Sequence, residues 1–354
     1  MPVPVPGENE SLIRIVRANI CSTDREILRG YRPDFRGIMG HEFVGEVVKS
    51  AGRPELVGKL VVGELNKGCG KCIYCRTGRE KHCLSRQVIG MSRDGCFAEY
   101  MTLADHLIHK IPDGLSPEKA VYTEPLAAAV EICKQVHIDP SLNAAVIGDG
   151  RLGFMIAQVL AQTGIDLTVI GRHPEKLEVF SSFAKVMCEE AFWDQESSAS
   201  QAAHVTQTAQ TAPMAQTEFM GKTAQTDQVD RPVSSHLAKN MRNPRRFRPL
   251  TADECYEYVV DASGAESGIH LAMHIVRKMG TIILKSTYAG KAEIDLSAIP
   301  VGEITIVGSR CGPFEPALKL LSEDKVLFSP VETYSLEDFE KAFASHAFKA
   351  GFRF

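Results

Sequence analysis

Cys21 and His41, with Glu42 directly beside the histidine, put a thiolate, an imidazole and a carboxylate within one short stretch of chain. That is a ligand set which a catalytic zinc takes. A structural zinc closes its shell with four protein ligands, whereas a catalytic one keeps a position for water or substrate. Cys21 and His41 would supply two ligands, and a third must come from elsewhere. Glu124 is the candidate: Pro125 suits the first turn of a helix and leaves Glu124 at its mouth. The helix dipole alone would also favour an acid there. A buried Cys beside a satisfied His is likewise common without a metal.

A second cluster carries a stronger signal. Cys69, Cys72, Cys75 and Cys83 follow as Cys-x-x-Cys-x-x-Cys with a fourth Cys after seven residues. Two-residue gaps let successive sulfurs converge on one tetrahedral ion, and Gly68 and Gly70 relax the backbone that must curl around it. Four thiolates close the shell, so this zinc is expected to be structural.

A third signal begins at Ala144. The run Ala144-Ala145-Val146-Ile147 leads into Gly148-Asp149-Gly150-Arg151-Leu152-Gly153 and then the apolar Phe154–Leu160. A buried strand, a Gly-x-Gly-x-x-Gly turn and an apolar helix are the order that sets a pyrophosphate on a helix N-terminus, with Gly148, Gly150, Leu152 and Gly153 beside it. A second strand, Asp166–Ile170, ends at Gly171-Arg172-His173, where an acid for the ribose 2′-hydroxyl is expected. A glycine and two potential cations stand there instead, which points to NADP over NAD. If Arg172 only stacks on the adenine, NAD still binds.

The elements that must position these groups are short strands first and alternating strands and helices later. Leu12–Val16 reads as a strand delivering Cys21 to a loop, and Phe43–Val48 and Leu60–Gly63 as further strands. Gly and Pro punctuation suggests a partly closed β-barrel for the first third. Strand–helix–strand repetition across 143 to 309 argues a doubly wound parallel sheet. One of its strands ends in small residues that include Ser263, a candidate for the cofactor site. Glu337–Phe348 reads as a last helix. Between these halves Gln195–Asp230 is dominated by Gln, Thr, Ala and Ser, and Arg231–Leu250 holds six Lys or Arg and no acid. The Gln/Thr tract cannot bury enough apolar area to offset its ordering entropy, so 194–250 is expected to be a disordered insertion. The basic run is read as solvated linker rather than a nucleic-acid arm.

The totals agree. A chain of 354 residues is long enough for two domains. An apolar fraction of 44% and net charge of −4 give no reason to expect a membrane or nucleic acid as partner. The start, Met1–Gly7, lacks the features of a signal peptide, so the ten cysteines are expected to be reduced and the protein cytoplasmic.

With these segments placed, the chain resembles the zinc-dependent medium-chain dehydrogenases, the group of alcohol, polyol and threonine dehydrogenases, over nearly its whole length. Cys21-Ser22-Thr23-Asp24, Gly40-His41-Glu42, the four-Cys lobe, Thr123-Glu124-Pro125-Leu126 and the Gly148–Gly153 turn come in that family's order. The resemblance implies an α/β fold: a GroES-like β-barrel catalytic domain over 1–124, a Rossmann domain over 125–309 with the insertion at about 194–250, and a return to the catalytic domain over 310–354. It implies Cys21, His41 and Glu124 as catalytic zinc ligands, and Glu42 as a neighbouring acid that ligates directly in some members. Thr23 matches the hydroxyl that takes the alcohol's proton, Asp24 an acid that orients the zinc-bound histidine, and Arg310 an arginine near the nicotinamide. Members are usually homodimers or homotetramers. Three features depart from the pattern: only twenty residues precede Cys21, Glu26 stands where many members have a histidine, and the insertion is foreign to the family.

The expected activity is reversible hydride transfer between a secondary alcohol, polyol or ketone and NADP or NAD. The alternatives are a zinc-free enone or quinone reductase, against which the four-Cys lobe argues, and a non-catalytic NADP-binding scaffold.

Overall fold

The structure, a computed structural model, describes residues 2–194, 246–287 and 291–354. All of the Gln/Thr tract and most of the basic run lie outside the described residues, and with them the expectation of disorder there. The chain falls into two units: residues 1–188 with 252–354, and residues 189–251.

Fifteen strands are described in the first unit. The early ones are β1 (Glu10–Asn19), β2 (Glu42–Ser50), β3 (Leu60–Gly63), the short β4 (Asn66–Lys67) and β5 (Gln87–Val88), β6 (Tyr100–Ala104) and β7 (Ile108–Lys110). The middle ones are β8 (Asn143–Ile147), β9 (Asp166–Gly171), β10 (Lys185–Cys188), β11 (Tyr256–Asp261), β12 (Val276–Leu284) and β13 (Thr305–Gly308). The last two are β14 (Val331–Tyr334) and β15 (Lys349–Arg353).

One sheet runs β14-β15-β1-β2-β3-β7, with β6 also paired to β1. Apolar residues at alternate positions of β1 and its neighbours (Ile13, Ile15, Phe43, Val47, Val61, Met101, Leu103) are buried together, as a sheet with one covered face requires. The register of this sheet gathers three strand ends. Asn19 stands opposite Glu42 on β2 and opposite Gly351 on β15. The end of β1, the start of β2 and the start of β15 therefore meet at one edge of the fold.

The second sheet runs β10-β9-β8-β11-β12-β13, every pair parallel. Counted from β8 this is the order 3-2-1-4-5-6 of a dinucleotide-binding fold, whose ligand lies off the carboxyl ends of the strands where the order reverses. Near-continuous apolar runs such as Ala144–Ile147 and Val259–Val260 suit strands covered on both faces. The helices Thr123–Gln135, Arg151–Ala161 and Phe314–Ser322 contribute to the core beside them.

Three local expectations differ from the structure. Cys21 opens a helix, Ser22–Leu28, rather than a loop, because the Asp24 carboxylate accepts the Cys21 N–H at 2.7 Å and satisfies a donor the helix start would leave bare. β12 begins at Val276, several residues before the run Gly280-Thr281-Ile282-Ile283-Leu284 that reads as a strand in the sequence. The expected last helix is a 3₁₀ turn at Leu336–Asp338 followed by a helix over Phe339–Ala344 only, after which the chain becomes β15.

In the second unit Glu189–Phe192 forms a 3₁₀ turn, and Trp193 bridges antiparallel to Phe247 with their rings stacked at 4.3 Å. Asp194 N–H donates to Arg246 O at 2.8 Å, and Arg248 N–H to Phe192 O at 3.0 Å. No helix of the described residues is long and apolar enough to cross a membrane.

Candidate active site and metal centres

The edge where β1, β2 and β15 meet carries Cys21, His41, Glu42 and Lys349. One ligand atom from each of Cys21, His41 and Glu42 lies within 4.8 Å of the other two. Behind them sits Asp24, wholly buried: its Oδ2 holds the Cys21 N–H, and its Oδ1 faces His41 Nδ1 at 3.4 Å. A carboxylate at Nδ1 turns the other ring nitrogen toward the cluster, the arrangement seen behind metal-bound histidines. Burial opposes protonation of His41, but Asp24 and Cys21 outweigh it and raise its pKa well above the usual value. A thiol, an imidazole and a carboxylate thus face one point, with a second carboxylate behind the imidazole. Thr23 Oγ1 lies 3.8 Å from Cys21 Sγ.

Glu42 and Glu124 differ in what balances them. Glu42 Oε2 forms an ion pair with Lys349 Nζ at 2.5 Å, with side-chain exposures of 1% and 3%. Glu124 is outside the 4.8 Å cluster, but its carboxyl is withdrawn from water, and burial raises its pKa against the pull of His41. It has no hydrogen bond or ion pair among the described residues. Its helix, Thr123–Gln135, is the element the sequence placed it on.

The four-Cys lobe closes on itself. The Cys72 and Cys75 sulfurs are 3.5 Å apart and those of Cys69 and Cys75 4.0 Å, with Cys83 inside the same cluster. A tetrahedron of ~2.3 Å metal–sulfur bonds has edges of ~3.8 Å, so the spacing suits a four-thiolate zinc, whereas a disulfide would need ~2.05 Å. Backbone N–H groups of Lys71 and Cys72 pull Cys69 down, and burial and Cys72 push Cys75 up. From this lobe Lys81 pairs with Glu131 on the Glu124 helix and donates to Cys311 O at 2.8 Å.

The Gly-rich turn fits a dinucleotide. Gly148 has φ +126°, and a Cβ there would meet Ala262 O at 2.6 Å; a Cβ on Gly153 would meet Gly148 O at 2.1 Å. A Cβ on Gly150 would meet nothing within 4 Å, which is open space at the N-terminus of the Arg151–Ala161 helix where a pyrophosphate can approach. Leu152 lies in the first turn of that helix. Arg151 reaches back to donate to Ser22 Oγ at 2.9 Å, so the turn and the Cys21 helix are in contact. The Ser263 hydroxyl is used locally, donating to Asp261 Oδ1 at 2.7 Å. Arg310 is exposed. Gly171, Arg172 and His173 end β9 beside Asp149.

Residues 7–113 match the family Alcohol dehydrogenase GroES-like domain, and residues 143–227 match 3-hydroxyacyl-CoA dehydrogenase, NAD binding domain. Sorbitol dehydrogenase of Halalkalibacterium halodurans is 26% identical over 360 residues, covering 99% of this chain and 91% of that protein. D-arabitol-phosphate dehydrogenase of Enterococcus avium is 26% identical over 355 residues, covering 97% and 88%. Among solved structures, an alcohol dehydrogenase from Thermus sp. ATN1 superposes with a TM-score of 0.76 at 22% identity, covering 100% of this chain and 95% of that one. The chain thus carries an alcohol dehydrogenase GroES-like domain over residues 7–113 and is similar over nearly its whole length to polyol dehydrogenases.

Sequence reasoning missed three groups near the site. Lys349 arrives from the far end of the chain at the start of a strand that only tertiary pairing creates, so nothing local marks it. Lys285, at the end of β12, donates to Ala128 O at 2.5 Å, Ser309 Oγ at 3.1 Å and Arg310 O at 2.7 Å, and burial lowers its pKa to about 8. It ties the Glu124 helix to the segment bearing Arg310. Asp149 stands in view between two glycines, but its type there marks only a turn.

Proposed function

We propose that the chain is a zinc-dependent, NAD(P)-linked alcohol dehydrogenase that interconverts a secondary alcohol or polyol and its ketone. The observation that carries it is the convergence of Cys21, His41 and Glu42 on one sheet edge, with the Glu124 carboxyl in the field of the same His41. Cys21, His41 and Glu124 are the proposed zinc ligands. Glu42 already has an ion-pair partner in Lys349 and serves as the neighbouring acid, whereas Glu124 has no ion pair among the described residues. Cys69, Cys72, Cys75 and Cys83 hold the structural zinc.

Zinc held at the first site would supply a Lewis acid that lowers the pKa of an alcohol hydroxyl, and a nicotinamide cofactor seated by the Gly148–Gly153 turn would supply the hydride acceptor. Thr23 takes the hydroxyl proton and passes it toward water. Asp24 keeps the His41 ring in one orientation. Gly148, Gly150, Leu152 and Gly153 seat the pyrophosphate; Gly171, Arg172 and His173 flank the adenosine end; and Ser263 and Arg310 complete the cofactor site. The proposed domain division is 1–124 and 310–354 around 125–309. Ten unbridged cysteines favour a reducing compartment, in keeping with the cytoplasm, and the family habit favours a homodimer or homotetramer.

The test is metal analysis and turnover on one sample, with a panel of alcohols, polyols and ketones and with NAD and NADP supplied separately. Wild type is expected to hold both zincs. Cys21→Ser is expected to lose one of them and turnover by on the order of 10³-fold. Wild type that holds both zincs and binds a dinucleotide, yet turns over none of these substrates, overturns the reading.

A further inference from the structure

In a doubly wound fold the adenosine ribose is read at the end of the second strand, by an acid standing there. β9 ends instead in Gly171, Arg172 and His173. The space is nonetheless filled. A Cβ built on Gly171 would lie 2.7 Å from Asp149 Cβ and 2.7 Å from Asp149 Oδ2. Asp149 belongs to the neighbouring turn, and its side chain crosses from the end of β8 to the end of β9. Its Oδ2 accepts the N–H of Arg172 at 2.9 Å and of His173 at 2.8 Å, and His173 Nδ1 stands 2.9 Å away. Its Oδ1 has no hydrogen bond among the described residues, and the side chain keeps 12% of its surface open. Glycine at 171 and aspartate at 149 are two parts of one arrangement: the acid sits on the adjacent strand's turn, and the usual position has no side chain to obstruct it.

We propose that Asp149 is the carboxylate that reads the adenosine ribose, its Oδ1 accepting from the 2′-hydroxyl, and that discrimination between NAD and NADP turns on it. This rests on the dehydrogenase reading. A 2′-phosphate brings nearly two negative charges at neutral pH, and Asp149 would stand against them. The backbone N–H groups of Arg172 and His173, which such a phosphate could use, already donate to Asp149. The Arg172 guanidinium is engaged with Ser267 Oγ. Removing the carboxylate deletes the acceptor for a hydroxyl and frees two donors for a phosphate. Both effects move the balance toward NADP.

The test is equilibrium titration of NADH and of NADPH, followed by nucleotide fluorescence or calorimetry, against wild type, Asp149→Asn, Asp149→Ala and the double variant D149G/G171D, in which glycine at 149 clears the Cβ that a side chain at 171 would meet. Melting curves are taken on each. Both single variants are expected to raise the ratio Kd(NADH)/Kd(NADPH) by tenfold or more. The double variant, which returns the acid to the strand end, is expected to bring it back toward wild type. Asp149→Asn keeps the side-chain volume and carries the test if Asp149→Ala does not fold. A ratio within twofold of wild type in the folded single variants overturns the ribose role and leaves the dehydrogenase reading intact. Wild type that binds neither nucleotide overturns both.

Discussion

Asp24 does two jobs from a position without any contact with solvent. One oxygen caps the helix that Cys21 opens, and the other faces the imidazole of His41. The two proposed ligands are therefore oriented by one carboxylate, which is why Asp24 belongs to the site although it would not touch the metal. Asp24→Asn keeps the shape and removes the charge. It is expected to weaken zinc retention at the Cys21–His41 site by about 10–100-fold while leaving the four-thiol zinc in place. Competition with a graded series of chelators measures this, and equal retention in both proteins would refute it. At this scale the sequence was informative where function packs chemistry densely. The four clustered cysteines stand out by type and spacing alone, whereas Cys21 and His41 gain weight only from the company of Glu124 and the order of the other motifs. Lys349 and Lys285 do not stand out, because a lysine acquires meaning only from what burial sets beside it.

At the level of elements, β1 is the member on which the first sheet depends, pairing with β2, β6 and β15. Its first residue, Glu10, accepts from Arg93 at 2.7 and 3.0 Å and pairs with Lys67 at 2.7 Å. Arg93 chiefly, against burial and with help from Lys67 and the Gly7 N–H, lowers its pKa from 4.5 to about 2. A depressed acid stabilises the fold above its unfolded pKa, and that contribution is lost as the pH falls through the folded one. The shift from 4.5 to about 2 corresponds to about 3 kcal/mol at neutral pH, an upper figure. Glu10→Gln is expected to lower the urea midpoint at pH 7, with the gap to wild type closing as the pH falls from about 4.5 toward 2. A gap independent of pH would show that packing rather than charge holds this corner. Strand and helix types were legible wherever periodicity was long, as in Ala144–Leu160. They failed at the C-terminus, where Leu336–Ala344 carries helical residues but Lys349–Arg353 is drawn into extended form by pairing with β1, a tertiary effect that no local window contains.

For the molecule as a whole, the doubly wound parallel sheet was legible in the strand–helix repeats, and the tract between β10 and β11 was recognisable by composition. What composition could not reveal is that its two ends meet: the Trp193–Phe247 stack and the Asp194–Arg246 hydrogen bond bring departure and return side by side. Replacing residues 195–245 by a turn of a few residues is therefore sterically simple. The shortened chain is expected to keep wild-type kcat and KM within about twofold, since joining ends that already meet leaves the two sheets and the Cys21–His41 edge untouched. A large loss of turnover with both zincs retained would assign the tract a part in the reaction.

The pairing of Asn19 with Glu42 on one side and Gly351 on the other also orders events during synthesis. The four-thiol lobe is complete once residue 83 has left the ribosome, because all its sulfurs lie within fifteen consecutive positions. Glu42 must wait for residue 349 before it meets a counter-charge. The nascent chain can thus complete the four-thiol lobe early, whereas the Glu42–Lys349 pair closes only once residue 349 has been made.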